Sequence, residues 1–294
     1  MSDPPAATPP AARVWNPRDA FAEVLRAPDE RIDLARSALL IAAEEYPALD
    51  IARYLARLDE LAREVAPRLG HARTAAERVA VLNRFLFAER GFTGNREHYE
   101  DPRNSFLNEV LDRCAGIPIT LSLVYIEVAR RAGVEVDGVG FPGHFLVKHG
   151  KHDEPGKEHL IVVDPFFGTV LTREECQIRL AAVLGAATQL RPELHLRKAS
   201  AREILVRLLG NLKVLYVRSA DFGRALACCE RILLVAPDAP HELRDRGLVY
   251  EKLECFGAAA ADLERFLELA PDDESAGAVR ERLAILRPRL RQLH

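Results

Sequence analysis

Apolar residues return at three- and four-residue spacing through most of the first third of the chain. Between Ile32 and Glu45 they are Leu34, Ala35, Ala38, Leu39, Ile41 and Ala42, a helical stripe that ends near Pro47. Leu49 to Val65 repeats the pattern with Ile51, Tyr54, Leu55, Leu58 and Leu61, and Ala75 to Ala88 does so with Val79, Val81, Leu82, Phe85 and Leu86. These predict three amphipathic helices covering a core that they do not form alone. The polar, turn-rich stretch ERGFTGNREHYEDPRN reads as a surface loop, and Asn104 to Arg113 as a short helix behind it.

The pattern tightens after Cys114. From Thr120 to Ala132 the apolar stripe is wide (Leu121, Val124, Tyr125, Val128, Ala129), which suits a deeply packed helix. Pro118 fits its first turn, where a missing N–H has no partner to lose. Gly133 stands where a left-handed C-cap is expected. Val134 to Gly140 and Phe145 to Val147 then read as strand, with Gly138, Pro142 and Gly143 as punctuation. The run from His159 to Pro165, HLIVVDP, reads as the hairpin partner. His144 therefore precedes one strand segment and Asp164 ends another, so neighbouring strands can set an acid beside an imidazole.

Beyond about residue 200 strand signals stop and a repeat begins. Tyr216 and Tyr250, Phe222 and Phe256, Ala225 and Ala259, and Pro237 and Pro271 all recur at a spacing of 34 residues. That period, with a helix-turn-helix pattern and a terminal Pro, is the tetratricopeptide signature. Gly247 falls at its small-residue position, where the first copy has Lys213. Two copies are clear, with Ser275 to Leu290 as a capping helix. Since about three repeats are normally needed for stability, the array is expected to lean on the preceding domain. The expected division is a disordered Pro- and Ala-rich tail over 1–18, a domain with a helical front over 19–198, and the repeats over 199–294.

Composition narrows the function classes. The chain has 294 residues, 48% of them hydrophobic and 29% charged, as in an ordinary globular protein. A net charge of −3 gives no support for a nucleic-acid footprint. No apolar run reaches the length of a membrane span, and the start MSDPPAATPPAARVWN lacks a secretory pattern. Five scattered cysteines form no disulfide framework, which suits a reducing cytoplasm. The adjacent Cys228 and Cys229 read as small helix-packing residues. Phosphate-loop, dinucleotide, zinc-protease and serine-hydrolase motifs are absent from the sequence.

The segments GIPITLSLVYIEVARRAGV, FPGHFLVK and VVDP resemble the transglutaminase-like core. With the helical front and the repeat tail, the chain is identified as a member of the bacterial SirB-type family of transglutaminase-like proteins with tetratricopeptide repeats. The resemblance implies an α+β fold: a helical N-terminal region, a papain/transglutaminase-like core with a small antiparallel sheet, and an all-α tail. It also implies a site in which a cysteine opens the core helix and a histidine and an aspartate lie on adjacent strands. The thiolate attacks, the histidine holds the proton and the acid orients the ring. His144 matches the histidine and Asp164 the aspartate. Pro118 occupies the nucleophile position, and Cys114 is the nearby thiol. A second departure is Leu146, where many active relatives carry an aromatic.

The first expectation is a non-catalytic protein-interaction or regulatory module that takes a protein or peptide partner, with Tyr216, Arg244 and Tyr250 as candidate partner-binding residues on the repeats. The alternative is a cysteine-dependent acyl-transfer enzyme using Cys114, His144 and Asp164. A third is regulation of transcription through a partner. No cofactor, direct nucleic acid or membrane is expected, and the oligomeric state is left open. His149, His152 and His159 with Asp153, Glu154 and Glu158 carry metal-ligand side chains without a recognised spacing, and are read as a solvated loop rather than a metal site. Arg103, Asn104, Asn108, Glu109, Asp112 and Arg113 are read as a polar edge that anchors a loop.

Overall fold

Short polar side chains set most helix starts. Asn16, Asp33 and Asp50 each accept a backbone N–H in the first turn of a helix. Thr74 with Glu77, Thr172 with Glu175 and Ser200 with Glu203 form reciprocal capping boxes. A computed structural model describes residues 15–150 and 160–292.

The front comprises α1 (Pro17–Val24), α2 (Leu34–Glu45), α3 (Ile51–Leu69) and α4 (Ala75–Asn83), the last running into a π-helical turn at Arg84–Glu89. Strand β1 (Thr93–Gly94) pairs in parallel with β2 (Ala115–Gly116), and α5 (Leu107–Arg113) lies between them. The central helix α6 (Pro118–Arg131) follows, then β3 (Asp137–Val139), β4 (Leu146–His149), β5 (Ile161–Asp164) and β6 (Thr169–Leu171). Helices α7 (Arg173–Leu184) and α8 (Pro192–His195) lead to the tail: α9 (Ala201–Arg218), α10 (Phe222–Val235), α11 (Pro240–Lys252), α12 (Phe256–Leu269) and α13 (Ala276–Gln292).

Helix α6 is buried on every side from Pro118 to Ala129, the pattern of a helix inside a core. It touches α2, α3, α5 and α9 as well as the sheet. Pro118 holds its first position, and Gly133 ends it at φ 79°. Strands β3 to β6 form an antiparallel meander in chain order. The period of two separates its faces. Val147 and Val163 join the core around α6, while Leu146 and Val162 face Leu171, Cys176 and Leu180 from β6 and α7.

The first repeat, α9 and α10, shares the main core: Leu205, Leu208, Leu212, Cys228, Cys229 and Ile232 pack in one cluster with the front helices and α6. The second repeat and α13 build a separate cluster around Leu263 and Phe266. Ion pairs cross the seam from Arg18 to Glu230, from Arg231 to Glu44 and from Arg224 to Glu45. The tail does lean on the first domain. A β-carbon on Gly247 would lie 2.9 Å from Leu263, the tight helix crossing its repeat position calls for. At the equivalent position of the first copy, Lys213 instead reaches forward to Glu242 and Asp245 on α11.

Helix α1 starts inside the stretch expected to be tail, because the Asn16 side chain caps Arg18 and Phe21 is fully buried. Residues 1–14 and 151–159 lie outside the described residues, as does most of the His-rich loop.

Candidate functional site

The antiparallel register of β4 and β5 pairs Val147 with Val163, so the residues just before β4 and at the end of β5 meet at one end of the sheet. His144 sits after Gly143, whose φ of 70° makes the turn. Asp164 closes β5, and its Oδ1 accepts the amides of Phe166 at 3.0 Å and Phe167 at 3.4 Å. His144 Nε2 lies 2.9 Å from the same oxygen. The other oxygen takes an ion pair from Arg179 on α7. Asp164 is fully buried and His144 is 17% exposed.

Burial pushes the Asp164 carboxyl upward, but the hydrogen bonds and charges of His144 and Arg179 outweigh it and hold the group below the usual carboxylate range. An ionised carboxylate only accepts, so the hydrogen on Nε2 is fixed there by the network, and a neutral ring then carries its lone pair on Nδ1. Among the described residues no hydrogen bond goes to Nδ1. The ring is framed by aromatics: Phe167 stacks on it at 6.1 Å between centroids, and Phe166 meets it edge-on. Arg96 and Arg179 lie over the Phe167 ring at 4.6 and 5.3 Å.

Cys114 stands elsewhere in the electrostatic map. It is the left-handed cap of α5 (φ 50°), and its Sγ points back to the Leu111 carbonyl at 4.0 Å. Burial pushes its thiol up; Arg57 and Arg90 pull it down less strongly, and Asp112 adds to the rise. The charges that reach the sulfur thus come from α3, the π-helical turn and α5, whereas those around His144 come from β5, α7 and the loop carrying Arg96. The structure brings His144 and Asp164 together and forms no hydrogen bond from either to Cys114 among the described residues. Pro118 is buried at the start of α6. It removes both a nucleophilic side chain and a backbone donor from that position. The preceding N–H, on Ile117, is already directed to Thr120 Oγ1 at 3.1 Å and the Asn104 carbonyl at 3.4 Å.

The polar edge before α6 is an anchor. Asn104 is fully buried; its Nδ2 donates to the His98 carbonyl at 2.7 Å and its Oδ1 accepts from Asn95 and Arg113. Thr120 Oγ1 donates to the Asn104 carbonyl at 2.7 Å. The loop bearing Arg96 and Tyr99 is thereby tied to the first turn of α6. Asp112 accepts from Tyr54 at 2.6 Å and pairs with Arg57, and Glu109 lies 4.0 Å from Arg113. Arg103 forks onto Asp101. His149 belongs to the core, with Nε2 3.0 Å from the Tyr125 hydroxyl; burial, with a smaller push from the Arg78 charge, lowers it to about 4.

Sequence reasoning missed Phe166, Phe167, Arg179, Arg96 and Tyr99. The aromatic doublet after VVDP was a usable signal; Arg179 had none, because its place depends on where α7 crosses the sheet.

On the repeats, Tyr216 is buried at the seam beneath Arg224. Arg244 bonds Asp245 and Ser275, and Tyr250 lies partly buried under Arg246, which forks onto Asp262. The three candidate partner residues do not form one patch: Tyr216 joins the main core, and Tyr250 packs on the cluster of the second repeat.

A family model described as the transglutaminase-like superfamily matches residues 52–210, and a tetratricopeptide-repeat model matches 212–284. The two stretches meet inside α9. A UPF0162 protein of Xylella fastidiosa is 41% identical over 228 residues, covering 76% of this chain and 79% of the relative. A UPF0162 protein of Pseudomonas aeruginosa is 35% identical, covering 82% and 85%. Protein SirB1 of Salmonella typhimurium is 27% identical, covering 72% and 76%. Among the described residues no helix is long and apolar enough to cross a membrane.

Proposed function

Because this chain belongs to the transglutaminase-like superfamily and ends in tetratricopeptide repeats, we propose that it is a protein-interaction or regulatory module that keeps the core fold without its cysteine chemistry. The observation that carries this reading is Pro118 at the head of α6, where an attacking thiol and its N–H would be needed. The capped position of Cys114 supports it. A half-buried thiol whose pKa is pushed up is a poor nucleophile at neutral pH. In this reading His144 and Asp164 hold the turn at residues 165–168 and present an imidazole edge to a peptide-like ligand, while the tail recruits a protein. The five free thiols support a reducing, cytoplasmic setting for this role.

One observation favours the cysteine-dependent acyl-transfer reading: His144 has the acid-oriented geometry of a base, with Nδ1 free of a hydrogen bond among the described residues. The two readings separate with a panel of fluorogenic amide and ester substrates. The interaction reading expects equal, background turnover by the wild type and by Cys114→Ala. Turnover by the wild type that Cys114→Ala abolishes would replace it with the enzyme reading.

A further inference from the structure

A cleft of about 680 Å³ opens where the loop before His144 meets α8, the first turns of α9 and the end of α10. Its size lies in the range of small recognition sites. Its floor is apolar, with Pro142, Phe145, Val206 and Val235. Leu194 adds an exposed apolar side chain at its edge. Its rim is basic. Arg197 is matched by Glu203, the acidic residue of the lining. Arg202 spends its guanidinium on the carbonyls of Val235 and Leu25, which leave its charge uncancelled. Arg207 is exposed, and among the described residues it has no hydrogen bond or ion pair. Its charge also acts on Tyr99. Tyr99 packs edge-on against Phe166, which in turn meets the His144 ring. Pro142, in the lining, lies two residues before His144, so the cleft adjoins the turn that carries the imidazole.

An apolar floor under uncancelled positive charge selects for apolar groups next to carboxylates. Two arginines without a carboxylate partner are too few to follow a nucleic-acid backbone, and the floor offers no stacking row of aromatics. We propose that this cleft docks a partner protein through a short acidic segment, its carboxylates on Arg202 and Arg207 and its apolar side chains on Leu194, Val206 and Pro142. The inference rests on the interaction reading and names its docking site. It shifts that site from the repeats alone to the joint between the repeats and the core.

The test is selection of a random-peptide phage library on the immobilised full chain, with wild type, Arg207→Glu and Leu194→Glu as targets. Both residues are exposed, so the variants are expected to keep the wild-type melting curve, which circular dichroism checks. The expected result is enrichment of acidic peptides bearing apolar residues, each synthetic peptide binding at least tenfold more weakly to both variants and more weakly as salt is raised. No enrichment above a blank surface, or basic peptides, would overturn the proposal. So would peptides indifferent to both variants; if these were lost on Arg244→Glu instead, the interaction reading would survive with its site on the repeats. Concentration-dependent sedimentation of the wild type that both variants abolish would make a second copy of the chain the occupant and would also overturn it.

Discussion

His144 Nε2 and Asp164 Oδ1 lie 2.9 Å apart, and the Asp164 carboxylate is also gripped by Arg179 and by two amides of the following turn. One buried acid thus fixes a histidine, a helix and an aromatic doublet. The pair would orient a catalytic ring if a nucleophile faced it, and it ties the sheet together whether or not one does.

Asp164→Asn should destabilise the fold by about 3 kcal/mol, because it leaves Arg179 facing a buried site without its counter-charge. Urea unfolding measures this. The native carboxyl lies below its ordinary 3.8, so its contribution is complete above that pH and is lost as pH falls through the lower native value. The variant should therefore show a shallower loss of stability in acid than the wild type.

His149 titrates in the opposite chemical sense with the same sign for stability. Its ring ordinarily protonates near 6.5 and does so in the fold only at about 4. Between those values the unfolded chain binds a proton that the native state refuses, so stability falls as pH drops from about 6.5 to about 4, by on the order of 3 kcal/mol. His149→Gln keeps a partner for the Tyr125 hydroxyl and should flatten the stability–pH curve over that window.

Gly94→Ala tests the seat of the aromatic doublet. Its β-carbon would fall 2.5 Å from the Phe166 ring and 2.6 Å from the Phe166 carbonyl, so the turn beyond Asp164 must move. A cost of about 1–3 kcal/mol is expected, together with shifted His144 imidazole resonances by NMR.

Lys213→Met removes the cation shared by Glu242 and Asp245 where the first repeat meets the second. About 3 kcal/mol of loss is expected. It should fall unevenly: hydrogen exchange should quicken in α11 and α12 while α6 keeps its protection, since the second repeat has its own apolar cluster.

Much of this was legible in the chain. The helical stripes gave α2, α3, α4 and α6; Gly133 was an αL cap as its place suggested; the 34-residue period gave both repeats. The hairpin reading allowed an acid beside an imidazole, and the family resemblance pointed to His144 and Asp164 as the pair. What the sequence hid depended on distance in the chain. Helix α7 has apolar residues around much of its circumference, with Ile178, Val183 and Leu184 exposed, so its inward side could not be read from periodicity. Arg179 and Arg96 converge on the aromatic doublet only through packing, and no local pattern marks a charged residue for that role. Strands β1, β2 and β6 are two or three residues long, below the length at which alternation can be recognised.

The most direct measurement is the alkylation rate of Cys114, resolved from the other thiols by peptide mass spectrometry, from pH 5 to pH 9 in wild type and His144→Ala. Burial pushes this thiol up and no bond joins it to His144 among the described residues. The account predicts slow labelling at neutral pH, an apparent pKa at or above the ~8.5 of a free thiol, and the same profile in both proteins. Rapid labelling at pH 6 that disappears in His144→Ala would reveal a thiolate–imidazolium pair and contradict it.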